Sequence, residues 1–210
     1  MTRISERLAH LREKGKKAFV AYITGGDPDM ETSEEVFAAL VSAGVDIMEI
    51  GVPFSDPVGD GPTNQLAAER ALMHGTSLDD ILAMVSRLRL KGFDIPVVLF
   101  TYFNPLFNMG IKAFADKASK GGVDGVLVVD LPPEEADEYL GHVRQKGIET
   151  IFLASPTTHP SRIKRIDEFS SAFVYYVSRL GVTGAKSRLS DTLEGEIMNL
   201  KQHVSKPIIV

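Results

Sequence analysis

Two carboxylates in the stretch EIGVPFSDPVGDGPTNQ, Glu49 to Gln65, are spaced for acid–base chemistry. The stretch holds three carboxylates, three glycines and three prolines, the composition of an irregular loop. Yet Glu49 sits inside an apolar run, IMEIGV. Successive side chains of a strand face opposite ways, so Ile47, Glu49 and Gly51 share one face and Met48, Ile50 and Val52 the other. If the second face meets helices, Glu49 points into the interior near the strand's C-terminal end. A carboxylate there is partly desolvated, and its pKa rises toward values useful for proton transfer. The competing reading is an ion pair with an interior lysine or arginine, because unpaired buried charge is costly. Asp60, on the following loop, would by itself read as a solvated acid. Paired with Glu49, it can flank one substrate and take the complementary acid or base role. Asp56 in SDP and Asp27 in GGDP read as turn formers, since Asp bonds its own backbone ahead of proline.

Other loops could contribute. In SRLGVTGAKS (178–187), Gly181 and Gly184 permit close backbone approach and could cradle a phosphate, although a lid is an equally good reading. TYFNP (101–105) and DLPPEE (130–135) read as loops on the same face, the second leading into a helix at Glu134 and Glu135. Tyr22, Phe100, Tyr102 and Tyr175 fall at strand positions, as core or as the walls of a pocket for a flat apolar substrate. The five histidines, His10, His74, His142, His159 and His203, lack ligand spacing to one another and read as surface residues, so no metal site is expected. There is no G-x-S-x-G nucleophile elbow.

The elements that must position these residues recur as apolar run, loop and amphipathic helix. The runs are 18–24, 47–52, 96–102, 125–130, 150–154, 173–178 and 207–210. Between them, Leu193, Ile197, Leu200 and Val204 share one helical face, and helical patterns stop at Gly44, Gly92 and Gly147. Strands alternating with helices argue a parallel sheet. An open doubly wound sheet and a (β/α)8 TIM barrel compete. The first usually carries G-x-G-x-x-G after its first strand, whereas TGGDPDMET stands there, and no P-loop motif occurs. The barrel is the better reading, as one domain over 1–210. A full barrel has eight strands and about 250 residues. This chain ends at Val210 in its seventh strand, so the expectation is a domain incomplete at its C-terminus, with the eighth strand and last helices missing.

Composition narrows the class. With 44% hydrophobic and 24% charged residues, the 210-residue chain suits one globular domain. A formal charge of −5 gives no sign of a nucleic-acid or acidic-membrane partner. The absence of cysteine removes disulfides and thiolate chemistry, and no apolar run is long enough to span a bilayer. The expectation is a soluble, cytoplasmic protein.

EIGVPFSDPVGDGPTNQ, TYFNP, DLPPEE and YYVSRLGVTGA, in that order and spacing, closely resemble the tryptophan synthase alpha chain family, over about Ala18 to Val210. The resemblance implies a (β/α)8 barrel that cleaves indole-3-glycerol phosphate to indole and glyceraldehyde 3-phosphate by a retro-aldol reaction, with no metal or organic cofactor. It places the catalytic carboxylates at Glu49 and Asp60. Glu49 would shuttle protons, and Asp60 would hold the indole N–H and balance the charge of the indolenine intermediate. Tyr22, Phe100, Leu127, Val129 and Leu153 would wall the indole pocket, and Tyr175 would touch the substrate. Thr183 and Gly184 would lie on the lid, Gly184 at the phosphate. Pro53, Asp56, Pro57, Asn104, Phe107, Pro132 and Glu135 would face a beta chain that holds pyridoxal phosphate, in an alpha2beta2 assembly.

Three departures carry expectations. Gly59 stands where the family usually has alanine, which predicts a more mobile loop when unliganded. Asn64 replaces an aliphatic residue and should pin that loop less well. Tyr22 replaces a common phenylalanine and adds a hydroxyl beside the pocket. Two alternatives to the lyase reading remain: a weakly catalytic subunit that activates a beta chain, and a standalone indole-releasing lyase. A phosphate-handling isomerase with a Glu base is opposed by PFSDP.

Overall fold

The computed structural model describes residues 2–178 and 192–210. Its strands are β1 (Val20–Thr24), β2 (Ile47–Gly51), β3 (Val97–Thr101), β4 (Gly125–Val128), β5 (Glu149–Ala154), β6 (Val174–Tyr176) and β7 (Ile208–Ile209). All pair in parallel and in sequence order. A doubly wound sheet would reverse that order at a switch point; strictly sequential pairing is that of a (β/α)8 barrel, followed here through seven strands.

The apolar runs are continuous because both faces of each strand are buried. Met48, Ile50, Val52, Leu99, Val126 and Phe152 pack outward into one core with the helices. Ile47, Val98, Leu127, Ile151 and Phe173 fill the lumen. The expected division of faces in β2 therefore holds, and all five of its residues are buried.

The outer layer comprises α2 (Met30–Ser42), α3 (Pro62–Met73), α4 (Leu78–Leu90), α5 (Phe103–Met109), α6 (Ile111–Gly121), α7 (Asp137–Gln145), α8 (Pro160–Phe169) and α9 (Leu193–Lys201). Gly44, Gly92 and Gly147, the expected helix stops, all have positive φ, a region closed to most side chains. Helix pairs follow β2 and β3, and the first of each pair carries a site loop. Thus α3 begins directly after Asp60 and Gly61, with Pro62 in its first turn, and α5 begins directly after Tyr102. TYFNP is accordingly only partly loop. Asn104 and Pro105 are helical, and proline is tolerated there because first-turn N–H groups have no intrahelical partner. The helix expected at Glu134 and Glu135 is instead a 3-10 turn, Pro133–Glu135, with α7 starting at Asp137.

The N-terminal helix α1 (Arg3–Glu13) has a role that its polar sequence conceals. Ile4, fully buried, joins the lumen core, with Leu8 packed behind it, so the helix plugs the lower end of the barrel. Buried carboxylates at the strand starts hold it there: Arg7 bonds Asp46 at 2.6 Å, Arg3 bonds Asp124 at 3.0 Å, and Thr2 donates to Glu149. Among the described residues, no helix is long and apolar enough to cross a membrane.

Candidate active site

Glu49 lies in the middle of β2, facing the lumen, and is 3% exposed. Its Oε1 is buried without a hydrogen-bond partner, and among the described residues no lysine or arginine pairs with it. The ion-pair reading therefore fails. Burial pushes the Glu49 carboxyl up to about 7. An acid tuned in this way exchanges a proton near neutral pH, which is what general acid–base work requires.

Asp60 is not solvated either; it is 8% exposed. The Tyr102 hydroxyl donates to its Oδ2 at 2.7 Å and accepts the Gly59 N–H at 2.9 Å. Asn64 Nδ2 lies 3.5 Å from Oδ1, and Gln65 Nε2 donates to the Asp60 carbonyl at 2.9 Å. The loop is thus gripped on both sides of its carboxylate. Gly59 and Asn64, expected to loosen it, both take part in that grip. Burial, and then the bond to Asp60, hold the Tyr102 phenol well above its usual range, so it stays a donor. Its ring packs against Phe54 at 5.2 Å.

The pocket walls come together across the lumen. Tyr22 meets Phe100 edge-on at 5.5 Å, and Phe100 meets Tyr175 at 6.3 Å. Phe100, Val129, Leu153 and Tyr175 line the half-buried upper layer above fully buried Leu127. Desolvation, with the nearby charges of Asp60 and Glu49, pushes the Tyr22 phenol up to about 12, so this ring senses both carboxylates. Its hydroxyl lies 3.3 Å from Thr24 Oγ1. Thr183 and Gly184, with the rest of the stretch after β6, lie outside the described residues.

Of the residues assigned to a partner face, Asp56, Asn104 and Glu135 are exposed, and Pro57 and Pro132 are half-buried. Phe107 is 65% exposed. Pro53, by contrast, is buried within the chain. An open cavity of about 690 Å³ borders this region, lined by Phe54, Asp56, Pro57, Val58, Gln65 and Met73. The Asp56 side chain accepts the Ser55 hydroxyl at 2.6 Å rather than bonding its own backbone, and the turn is closed by its carbonyl, which accepts the Val58 N–H at 2.8 Å. Asp27 does more than form a turn: Arg70 of α3 grips both its oxygens, at 2.6 and 2.8 Å.

Several contributors escape a reading of the sequence. Asn64, read in the sequence only as a residue that should pin the loop less well, sits four residues beyond Asp60, an offset that brings side chains back over a helix start, and Gln65 beside it carried no signal of its own. Tyr102 could be placed near the site by strand parity, but its bond to Asp60 depends on how the β2 loop folds back. Among the described residues, no three histidine, aspartate or glutamate side chains gather as a metal site would need.

Similarity to known proteins agrees with this geometry. A family model described as tryptophan synthase alpha chain matches residues 8–210. The tryptophan synthase alpha chain of Citrifermentans bemidjiense is 50% identical over 210 residues, all of this chain and 78% of that one. That of Marinobacter nauticus is 50% identical over 208 residues, 99% of this chain and 77% of the relative. Among solved structures, tryptophan synthase subunit alpha from Legionella pneumophila superposes with a TM-score of 0.91 at 38% identity, covering 99% of this chain and 77% of that one.

Proposed function

The chain belongs to the tryptophan synthase alpha chain family, lyases that cleave indole-3-glycerol phosphate to indole and glyceraldehyde 3-phosphate, and from that premise we propose how its residues divide the work. Glu49 is the proton shuttle. In its protonated form it delivers a proton to indole C3, making that carbon tetrahedral and leaving the ring as a positively charged indolenine. As carboxylate it then takes the proton of the glycerol hydroxyl. The C–C bond breaks, its electron pair returns to the ring to restore the aromatic indole, and the carbinol carbon becomes the aldehyde. Asp60 receives the indole N–H and balances the ring's positive charge. Tyr22, Phe100, Leu127, Val129, Leu153 and Tyr175 form the apolar slot for the ring, with Tyr102 beside it holding Asp60. Thr183 and Gly184 act at the lid and phosphate.

The observation that carries this reading is the buried, unpartnered Glu49 oxygen, facing the same lumen as an Asp60 held in place by Tyr102. Leaving a buried polar atom without a partner is costly to folding, and a substrate-directed acid is what offsets that cost in use. Glu49→Gln should end indole release while leaving the fold and partner binding intact; undiminished release would discard the assignment.

The apolar side chains left open around the cavity beside Asp56, Val58 at 80% and Met73 at 73% exposure, together with Phe107 of α5 at 65%, support docking of a beta chain on these segments. In that assembly, alpha2beta2, pyridoxal phosphate belongs to the beta chain, and this chain uses no cofactor of its own. Residues 1–210 act as one barrel-type domain in the cytoplasm. The reading as a weakly catalytic activator differs in outcome: under it, Glu49→Gln leaves an already low release unchanged.

A further inference from the structure

The start of α5 has an unusual cap. Its N-cap position is Tyr102, and no side chain of the helix itself caps it, although Ser, Thr, Asp or Asn is the usual occupant. The Tyr102 side chain is turned inward instead, onto Asp60 and Gly59. The first N–H of the helix, that of Phe103, is bonded from another loop by Asp130 Oδ1 at 2.7 Å. A carboxylate on an orphan first-turn N–H is a charge-assisted bond at the positive end of the helix. Asp130 is itself held in register. The preceding residue, Val129, donates its N–H to the Thr101 carbonyl at 2.9 Å, and a Cβ placed on Gly59 would lie 3.1 Å from Val129 Cγ1. The end of β4 therefore lies close beside Gly59 in the Asp60 loop and is bonded to the backbone beside Tyr102.

We propose that Asp130 is a positioning residue of the lyase reaction: by accepting the Phe103 N–H it fixes the start of α5, and with it the Tyr102 phenol that aims Asp60. Asp130 touches no reacting atom. Its effect is transmitted through one backbone bond and one phenol. The same bond joins the two segments, α5 and the 130–135 loop, that carry Asn104, Phe107, Pro132 and Glu135. The inference rests on Asp60 being the residue that balances the indolenine charge.

The test uses the purified chain, alone and with its beta chain, with indole-3-glycerol phosphate as substrate. Misplacement of a reacting group by an ångström costs up to about a hundredfold, so a looser Tyr102 should lower kcat of Asp130→Ala about tenfold, with KM changed far less. Asp130→Asn, whose amide oxygen still accepts the Phe103 N–H, should recover most of that loss. In a Tyr102→Phe background, Asp130→Ala should cost nothing more, because the group it positions is gone. Full kcat in Asp130→Ala, a loss confined to KM, or losses that add to those of Tyr102→Phe would each overturn the proposal. Asp60→Asn separates the two ideas. If it leaves kcat intact, the role of Asp60 fails; if it lowers kcat while Asp130→Ala does not, only the positioning role fails. Because Asp130 is exposed, unfolding is not the expected outcome, and thermal melts of each variant check this.

Discussion

Tyr22 lies directly over Gly51: a Cβ built on the glycine would stand 2.1 Å from the tyrosine Oη and 2.7 Å from Cζ. Tyr22 is opposite Glu49 in the β1–β2 register, so its ring runs diagonally up the lumen and covers the next inward position of β2. Glycine at 51 is required by that ring rather than by the backbone, whose φ there is not among the positive ones. The large side chain at 22 and the missing one at 51 together set the width of the pocket beside Glu49.

Gly51→Ala should therefore destabilise the protein by about 1–3 kcal/mol, the usual cost of overpacking a core, and lower kcat/KM with it. Tyr22→Phe should not rescue it, since Cζ alone is too close; Tyr22→Leu should. Urea unfolding of the three variants measures this. Native stability in Gly51→Ala alone would show that the ring moves aside freely.

The raised carboxyl of Glu49 makes a signed pH prediction. Its folded value is about 7 against an ordinary 4.5. Below both values the group is protonated in either state and has no effect. As pH rises between them, the unfolded chain releases a proton that the folded chain keeps, so stability falls, by about 3 kcal/mol in total once pH passes 7. Glu49→Gln should be more stable than the parent at pH 8 and equal to it near pH 4. Parallel stability–pH curves for the two proteins would sink the idea that this acid is held by burial.

Tyr102→Phe removes a donor from Asp60 and the acceptor of the Gly59 N–H. An unsatisfied buried group costs about 1–3 kcal/mol, so a drop in stability should accompany a fall in kcat. A fall in kcat without any loss of stability would mean that the buried Asp60 carboxylate finds another donor.

Glu49 was legible in the sequence because a charge inside an apolar strand breaks the pattern that burial imposes, and strand parity then fixes its direction. The seven strands, their parallel order and the glycine stops were legible for the same reason: local periodicity and backbone conformation report locally. The grip on Asp60 was not. It depends on Tyr102, far from Asp60 in sequence, and long-range hydrogen bonds leave no periodic trace. The plug formed by α1 was hidden in another way. Only Ile4 and Leu11 of that helix are buried, so its sequence reads as a surface helix, and the carboxylates that hold it look like ordinary strand-flanking acids.

Those carboxylates make the lower end of the barrel sensitive to charge removal. Asp124, 6% exposed as a side chain, accepts from Arg89 at 2.6 Å, from Arg3 at 3.0 Å and from the Val97 N–H at 2.8 Å. Arg89 also serves the carbonyls of Gly122, Phe93 and Ile95. Arg89→Leu leaves a buried charge short of its closest cation and three carbonyls short of a donor. The expected loss is about 3–5 kcal/mol, as for breaking one side of a buried pair. Asp94→Ala breaks a bond of the same Arg3, but its side chain is 84% exposed, and the expected loss is under about 1 kcal/mol. Denaturant unfolding of both variants checks the contrast. Equal losses would mean that Arg3, not the buried Arg89–Asp124 pair, secures the base of the barrel.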